Sequence, residues 1–536
     1  MLASINSSLS YRRIRAPKNH GEVLHLPHLA QWQPTWQNNL ATDFQNANFE
    51  SADLVKLRRL GRTEIQNEAL NFTRQYRDVD LAHRQNILMA GHQPSLFHPG
   101  VWYKNFILSH LAANLNCVPI NLVVDNDICQ SNYVNAPGSE STTQQIPFDA
   151  NAAIVPYEER KVLDMDLFNG FANHAAQAIS PFTKTPVVSR LWPHVLENSG
   201  NQNLGQAISK GRHRLESELG LQSLEIPISH VAKFKSFAAC VFEIVSRISE
   251  FHEIYNRNLR VYRTTNKIKS TSHPVPELSQ QDGWWETPFW IWTAQSPKRE
   301  SLFVRSNGNQ QVFSDLRHYE KTLRANCSLD QFHETILDGQ KIRPKALMTT
   351  MLCRLLYSDM FIHGIGGSKY DQLTDAIAAD FFAVELPAYL TITGTFTIQQ
   401  NVAPISNAQI GSQKHRIRDL EFHPERFVDH SNDQSNEWVQ EKKQWIEKEL
   451  PPGQRKPRHD AIKEINQKLQ EQVGDSKTAE TNKLNELVAQ QPMAKLLNSR
   501  EYSFCLFDQN LLNELKHSAE LATTSMRQDT PPADAP

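Results

Sequence analysis

The chain has 536 residues, of which 39% are hydrophobic and 21% are charged. This composition is typical of a globular protein with several domains and excludes a chain that is disordered throughout. The 56 basic and 58 acidic side chains leave a net charge of −2, so the basic excess of a nucleic-acid or acidic-membrane binder is absent. We therefore expect a small-molecule partner, and neither a nucleic acid nor a membrane.

The sequence also indicates a compartment. No run of about 18 apolar residues predicts a membrane-spanning helix, and polar residues occur among the first ten where a secretory signal would be continuously apolar. The six cysteines are scattered without a C-x-x-C spacing, which indicates reduced thiols rather than disulfides or a zinc site. We predict a soluble, cytoplasmic protein without a metal site.

Residues 1–80 form a predicted N-terminal segment that is partly helical and partly irregular. A strand–helix–strand unit follows within residues 81–135. Its first strand is the apolar run at 87–90, its helix covers residues 101–116, and its second strand covers residues 118–124. A unit of this size predicts that the two strands are parallel.

The rest of the chain divides into four segments. Residues 136–334 are loop-rich and punctuated by prolines, and we interpret them as a large, irregular connecting insertion. Residues 335–420 resume the core with a strand that runs into glycines, a helix and a further strand. Residues 421–510 are dense in charge and predict an antiparallel helical hairpin or coiled coil that turns at 451–453. Residues 511–536 are predicted to be a flexible tail.

The loop that follows the first strand of the core is the first candidate site. Ligands of open parallel sheets bind beyond the carboxyl ends of the strands, and a helix N-terminus attracts anions. Because histidine has an ordinary pKa near neutrality, His92 is the predicted general acid or base. The predicted binding residues of this loop and its helix are Gly91, Gln93, Ser95, His98 and Lys104. The alternative is a polar turn whose histidines cap backbone groups.

Two aspartates end the second strand and are predicted to face the same crevice. Asp125 and Asp127 lie one residue apart, so their side chains point the same way if the strand continues. Paired carboxylates can bind Mg²⁺, hydrogen-bond a ribose or orient a substrate amine. We predict a catalytic role for them, although acidic residues also commonly end strands and begin turns.

A second glycine-rich element follows the strand near residue 360. Adjacent glycines allow a positive φ and a close approach of the backbone to a ligand, and Lys369 adds positive charge. The predicted binding residues of this element are His363, Gly366, Gly367, Lys369, Tyr370 and Asp371. Asp371 can instead be a helix N-cap, and the GxxxxGK[ST] spacing of a Walker loop is absent.

Two further candidates lie in the predicted insertion. Arg263 belongs to a basic run that could clamp an anion, and the alternative is a solvated helix face. Glu286 lies in the tryptophan-rich stretch 284–292, which suits an amino sugar or another ligand with a cation and an apolar face. The alternative for that stretch is a hydrophobic mini-core.

Four landmarks, in this order, resemble the cysteine-adding enzymes (cysteine ligases) of bacillithiol biosynthesis. Residues 91–104 are similar to the family's GQQ-x-GLF-x-GP…Y…K element, and residues 118–127 to its VPVFW…DHD strand. Residues 342–344 and 365–367 are similar to its LRP and GGP elements. As an order of landmarks the resemblance covers most of the chain.

The resemblance implies a Rossmann-like, nucleotidyltransferase-like core, a nucleotide site for ATP or ADP, and a C-terminal coiled coil that forms a homodimer. It also implies a reaction that joins cysteine to a glucosaminyl-malate. His92 stands where the family has Gln, Asn126 where it has His, and residues 368–371 replace its Pro-Gly-Glu run. These departures leave the substrate's identity open.

The combined prediction is an α/β enzyme of ligase or transferase type. It would couple a thiol or amine to a small sugar- or carboxylate-bearing metabolite. The rival is a non-catalytic nucleotide- or metabolite-binding protein that presents its coil to a partner. An enzyme would bind two substrates in adjacent pockets, whereas the rival would bind one ligand.

Overall fold

The computed structural model describes residues 9–528, apart from residues 80, 82–83, 152–153, 201–202, 272–274, 337–339, 400–401, 430 and 452–454. The chain forms two compact units. The first comprises Met1–Ala136, Gln144–Ile398 and Arg500–Pro536, and the second comprises Pro137–Thr143 and Gln399–Ser499. Among the described residues, no helix has the length and apolarity needed to cross a membrane.

The strands in chain order are β1 (Val23–Leu26), β2 (Ile87–His92), β3 (Val118–Val123), β4 (Tyr133–Pro137), β5 (Thr143–Pro147), β6 (Leu224–Pro227), β7 (Gln280–Gln281), β8 (Trp284–Trp292), β9 (Glu300–Asn307), β10 (Gln310–Ser314), β11 (Glu320–Arg324), β12 (Lys341–Pro344), β13 (Met360–His363) and β14 (Tyr389–Gly394). The helices are α1 (Trp32–Leu40), α2 (Leu54–Arg74), α3 (Pro99–Leu115), α4 (Met165–Ile179), α5 (Val188–Glu197), α6 (Leu204–Glu218), α7 (Ile228–Val231), α8 (Lys235–Ser246), α9 (Ile248–Thr265), α10 (Leu329–Ile336), α11 (Ala346–Leu352), α12 (Ile365–Phe382), α13 (Asn407–Phe422), α14 (Asp433–Glu447), α15 (Arg455–Gln472), α16 (Gly474–Leu497) and α17 (Asn510–Gln528).

A six-stranded sheet in the order β1-β14-β13-β2-β3-β6 forms the centre of the first unit. The five strands from β14 to β6 are parallel, and β1 is antiparallel to β14. The predicted parallel pairing of the first two core strands is therefore confirmed. From β2 the chain builds outwards to β3 and β6, then returns to the other side of β2 for β13 and β14. The strand order thus reverses between β2 and β13.

The apolar sequence of these elements explains why they lie inside. Every residue of β3 is buried, as expected for a parallel strand that is covered on both faces. Helix α3 is apolar almost all round, with Trp102, Phe106 and Leu111 inaccessible to solvent. It lies between the sheet and α17, which buries Leu515 and Ala519.

The predicted irregular insertion at residues 136–334 is wrong, because most of its residues form regular structure. Helices α4 to α9 lie in this range, and β6 extends the central sheet. Strands β8 to β11 belong to a second, antiparallel sheet in the order β11-β10-β9-β8-β12, with β7 paired to β8. The predicted core boundaries also change. Strand β1 comes from the N-terminal segment, and β12 pairs with β8 rather than with the central sheet.

Two predictions about the C-terminal part also need correction. The range predicted as a flexible tail contains α17, whose Leu511, Leu515 and Ala519 repeat at helical spacing and are buried. The remainder of that predicted tail, residues 529–536, lies outside the described residues. Residues 407–420, which were predicted to end the core, belong to the second unit as part of α13.

The second unit contains α13, α14, α15 and α16. Its hydrophobic cluster is formed by Leu420, Val428, Ile465, Leu469 and Val473, with Trp438 and Trp445 packed against it. Helix α14 packs on α15, and α13 packs on α16. The predicted turn at 451–453 falls largely on residues that the structure does not describe. The unit therefore buries many of its apolar residues within itself, so these residues do not by themselves require a second copy.

Candidate functional site

A pocket of about 650 Å³ lies beyond the carboxyl ends of β2 and β13, where the strand order reverses. We call it the crevice pocket. In open parallel sheets this reversal is the usual place for a ligand. The predicted site residues that line it are Gly91, His92, Gln93, His98, Lys104, Asp127, His363, Gly366, Gly367, Lys369 and Tyr370. Two glycine-containing elements that are distant in sequence, the loop after β2 and the first turn of α12, thus face one pocket.

Lys104 is a buried cation in the wall of the crevice pocket. Its side chain is 3% exposed, and Nζ donates a hydrogen bond of 2.9 Å to the carbonyl oxygen of Gly91. Burial and the nearby Arg212 lower the pKa of Lys104 to about 8. Within the described chain no carboxylate lies within 4.0 Å of its Nζ. A buried ammonium without a counter-ion is costly, and a bound anion would remove that cost.

Charge in the crevice pocket is predominantly positive. The basic lining residues are Arg15, Lys104, Lys369 and Arg500. Asp127 is the acidic residue among those that line it, and it is neutralised by Arg299, whose Nη1 lies 3.1 Å from Oδ1. Gln93 also donates to the other oxygen of Asp127. The pocket therefore favours an anionic ligand.

Two helix N-termini also point at the crevice pocket. The N-cap residues His98 of α3 and Gly364 of α12 line it, and neither helix has a side-chain cap. The first N–H groups of α12 have no partner within the helix, so they can bind a phosphate or carboxylate. The N-terminus of α3 offers fewer donors, because Pro99 has no N–H and the N–H of Val101 bonds the carbonyl oxygen of His98. Gly366 and Gly367 lie in the first turn of α12.

The predicted use of positive φ at these two glycines is wrong, because both have negative φ. Gly367 is needed for a different reason. A Cβ at this position would lie 2.7 Å from Nδ1 of His363, so only glycine fits against that ring. Open space surrounds the equivalent position at Gly366.

The reason for predicting His92 as an acid or base is not supported. Burial, and then the positive charge of Lys104, lower its pKa to about 3, so the ring is neutral at pH 7. Nδ1 donates to the carbonyl oxygen of Gln93 at 3.3 Å, which leaves Nε2 as an acceptor. The ring also contacts Phe97 edge to face. His92 can accept a hydrogen bond from a ligand, but it is a weak base.

Asp371 does not line the crevice pocket and is not a helix cap. It is fully buried and accepts hydrogen bonds from His363 Nε2 at 3.0 Å, Arg354 Nη1 at 2.7 Å and Thr350 Oγ1 at 2.6 Å. These groups hold the pKa of Asp371 well below its usual range despite burial. Because Nε2 of His363 bonds Asp371, Nδ1 is the ring nitrogen that faces Gly367 at the pocket wall.

The two aspartates that were predicted to be catalytic do not form a pair. Strand β3 ends at Val123, and the chain then turns, so the alternation of side chains on which the prediction depended does not extend to them. Asp125 is 4% exposed and accepts hydrogen bonds from the N–H and Oγ of Ser229. Burial and nearby Glu158 raise its pKa. Asp127 alone lines the crevice pocket.

Three other predicted residues lie elsewhere. Ser95 lines a separate pocket of about 160 Å³. Arg263 donates to the carbonyl oxygens of Thr271 and Val275 and thus holds a loop. Glu286 accepts hydrogen bonds from Ser279 and Ser301 and pairs with Lys345. The side chains of Arg263 and Glu286 are therefore occupied by structural contacts.

Sequence reasoning did not identify three cationic residues at or beside the crevice pocket, which are Arg15, Arg299 and Arg500. Arg500 is the residue at which the chain re-enters the first unit, directly after the last residue of the second unit. Its Nη2 donates a hydrogen bond to Thr393 Oγ1 at 2.9 Å. None of the three lies in a motif or beside a predicted strand end. Their convergence depends on tertiary structure, so no local signal could have identified them.

A second pocket of about 230 Å³ adjoins the crevice pocket. Both are lined by Val124, Asp127, Ala346 and Thr349. The walls of the second pocket are mainly apolar and include Leu278, Trp290 and Leu347. The cationic groups of Arg299 and Lys345 lie 4.7 and 4.6 Å, respectively, from the centre of the Trp290 ring. Two small ligands could therefore lie next to each other, with Asp127 between them.

Comparisons with known proteins give no family for the chain. No protein-family model matches the sequence, and no curated protein matches it significantly. The site must therefore be interpreted from its own geometry.

Proposed function

We propose that the crevice pocket binds a small metabolite through a phosphate or carboxylate group. The observation that supports this most strongly is the convergence of two uncapped helix N-termini on a pocket whose basic residues outnumber its acidic one. Lys104 is the central group, since it is buried and lacks a carboxylate partner in the described chain. Lys369 is exposed and adds charge at the mouth of the pocket.

We further propose that the protein is an enzyme of ligase or transferase type, as in the cysteine-adding enzymes that it resembles. It would couple a thiol or amine to the anionic metabolite. Support comes from the adjoining second pocket, because a coupling reaction needs two substrates side by side. Asp127 lies where the two pockets meet and could orient the amine or thiol.

The central sheet supports a Rossmann-like core as part of this proposal. Its five parallel strands follow the order 3-2-1-4-5 when numbered along the chain, which is the order of dinucleotide-binding folds. A nucleotide such as ATP or ADP is therefore a candidate for the anion, bound by its phosphates at the helix N-termini. The six free cysteines agree with a reducing compartment such as the cytoplasm.

One observation favours the rival function, a non-catalytic binding protein. His92 has a pKa of about 3 and Asp125 lies outside the crevice pocket. Of the three predicted catalytic residues, only Asp127 is thus a carboxylate that a ligand could reach. A binding protein would need the cations and helix N-termini but no acid or base.

A binding experiment tests the shared part of both functions. Melting temperatures would be measured with nucleotides, sugar acids and amino acids, alone and in pairs. A ligand at 100 times its Kd stabilises the folded state by about 2.7 kcal/mol. Lys369→Gln should reduce the shift, whereas Lys184→Gln, an exposed lysine that does not line the pocket, should not. If no anion binds, the proposal is wrong.

A second experiment separates enzyme from binder. The ligand found in the first experiment would be incubated with candidate amines and thiols, and new covalent products would be sought by mass spectrometry. An enzyme should bind a second compound and form product. Saturable binding of one ligand, with no second compound and no product, would support the binding protein.

A further inference from the structure

The N-terminal segment that precedes β1 forms part of the crevice pocket. The backbone N–H of Ser10 donates to Gln372 Oε1 at 3.2 Å, and the carbonyl oxygen of Pro17 accepts from Thr395 Oγ1 at 2.7 Å. Gln372 belongs to α12, and Thr395 follows β14 directly. The segment between these anchors, residues 11–16, is called the strap.

The strap separates two cavities. Ile14, Arg15 and Ala16 line the crevice pocket. Arg12, Arg13 and Ile14 line another pocket of about 650 Å³. Because Ile14 borders both, the strap is a thin wall between them rather than a segment packed into the core. Its three arginines are therefore divided between two pockets.

Arg15 is the strap arginine that contributes to the crevice pocket. Its side chain is exposed, and no carboxylate of the described residues lies within 4.0 Å of its guanidinium. Lys104 lines the same pocket from α3 on the central sheet. Besides Lys369 and Arg500, the pocket therefore has a cation in its buried wall and another on the strap, carried by different elements.

We propose that Arg15 binds the outer anionic group of a ligand whose inner anionic group is held at Lys104 and the helix N-termini. The strap would make the site selective for compounds with two separated anionic groups over compounds with one. This inference rests on the proposed anion site. A guanidinium is suited to this role because its fork of N–H donors binds phosphate and carboxylate oxygens in pairs.

Calorimetric titration of the full chain with inorganic pyrophosphate and with orthophosphate tests the inference. The wild-type protein should bind pyrophosphate more tightly. Arg15→Gln should weaken pyrophosphate binding by about tenfold and orthophosphate binding by less than about twofold. Arg12→Gln and Arg13→Gln are matched controls on the same strap and should change neither affinity.

The outcomes distinguish this inference from the proposal beneath it. If the wild-type chain binds neither anion, both the anion site and the role of Arg15 are refuted. If wild-type binds pyrophosphate and Arg15→Gln binds it equally well, the role of Arg15 alone is refuted. Equal weakening by all three arginine substitutions would also refute it, because it would indicate diffuse attraction. Circular dichroism of each variant establishes that the fold is retained.

Discussion

Gly100, in the first turn of α3, packs directly against the carbonyl oxygen of Gly394 at the end of β14, and a Cβ on Gly100 would overlap that oxygen. Gly100→Ala should therefore destabilise the protein by about 2 kcal/mol or more, because one of two packed backbones must shift. Urea unfolding monitored by fluorescence would measure the change.

Gly366→Ala is the matched control for Gly100→Ala. It also lies in the first turn of a helix at the crevice pocket, but nothing lies within 4 Å of its would-be Cβ. It should be neutral or stabilise by about 0.5 kcal/mol, because alanine favours a helix more than glycine does. Equal destabilisation by both substitutions would contradict the packing argument.

The low pKa of His92 predicts a dependence of stability on pH. The unfolded ring titrates near pH 6.5, whereas the folded ring titrates near pH 3 because it is buried. Between these two pH values the unfolded state binds more protons than the folded state. The contribution of His92 to the free energy of unfolding is therefore complete above pH 6.5 and decreases as the pH falls below it. Through this one group, the free energy of unfolding should be about 2 kcal/mol lower at pH 5 than at pH 7.

His92→Gln should consequently lose less stability than wild-type between pH 7 and pH 5. Melting temperatures at several pH values would detect this, with His459→Gln as a control because that side chain is 76% exposed. His98 also has a pKa of about 3, mainly through burial, so part of the acid sensitivity should remain in His92→Gln. A His92 proton resonance that titrates near pH 6.5 in the folded protein would contradict the assignment.

Asp371→Asn should destabilise the protein by about 3 kcal/mol, because the buried guanidinium of Arg354 would lose a charge partner. Arg416→Gln breaks an ion pair whose arginine is 60% exposed and should change stability by less than about 0.5 kcal/mol. Chemical denaturation of the two variants would measure the difference. A small effect of Asp371→Asn would indicate that Asp375 compensates, since it also pairs with Arg354.

The second unit is predicted to form a two-fold dimer, as the family resemblance implies. Ile446 and Val488 are apolar, and their side chains are 46% and 48% exposed. Ile446→Glu and Val488→Glu should therefore weaken self-association, whereas Leu163→Glu, which is 57% exposed in the first unit, should not. Light scattering at micromolar concentration measures the mass. A monomeric wild-type chain would refute the dimer.

The local sequence pattern was sufficient to predict the strands at the centre of the central sheet, but not the strand at its edge. Strands β2 and β3 could be predicted because the mostly apolar stretches at residues 87–90 and 118–124 are followed by glycine or aspartate. Strand β6 could not, since it has four residues and one of them is Glu225, which is buried against Arg212 and Asn121. A charged residue in a sequence argues against a buried strand, and only the structure shows the partner that compensates the charge.

The same limit applies to the crevice pocket. The two loops could be predicted to share a site because each follows a strand and precedes a helix, which is a rule about topology. The state of each side chain depends on neighbours from distant parts of the chain. Burial of His92 lowers its pKa, and the turn after β3 directs Asp125 towards Ser229. No spacing within the sequence encodes these surroundings.

The packing of α17 on α3 has a consequence for synthesis on the ribosome. Tyr103 and Ser518 are hydrogen-bonded although they lie 415 residues apart. During translation α3 emerges early, yet the surface that α17 covers stays uncovered until residues 510–528 have been made. Such long-lived apolar surfaces favour aggregation and engage chaperones. We expect the first unit to mature only after α17 has left the ribosome, whereas the second unit, whose helices lie close together in sequence, can form before that.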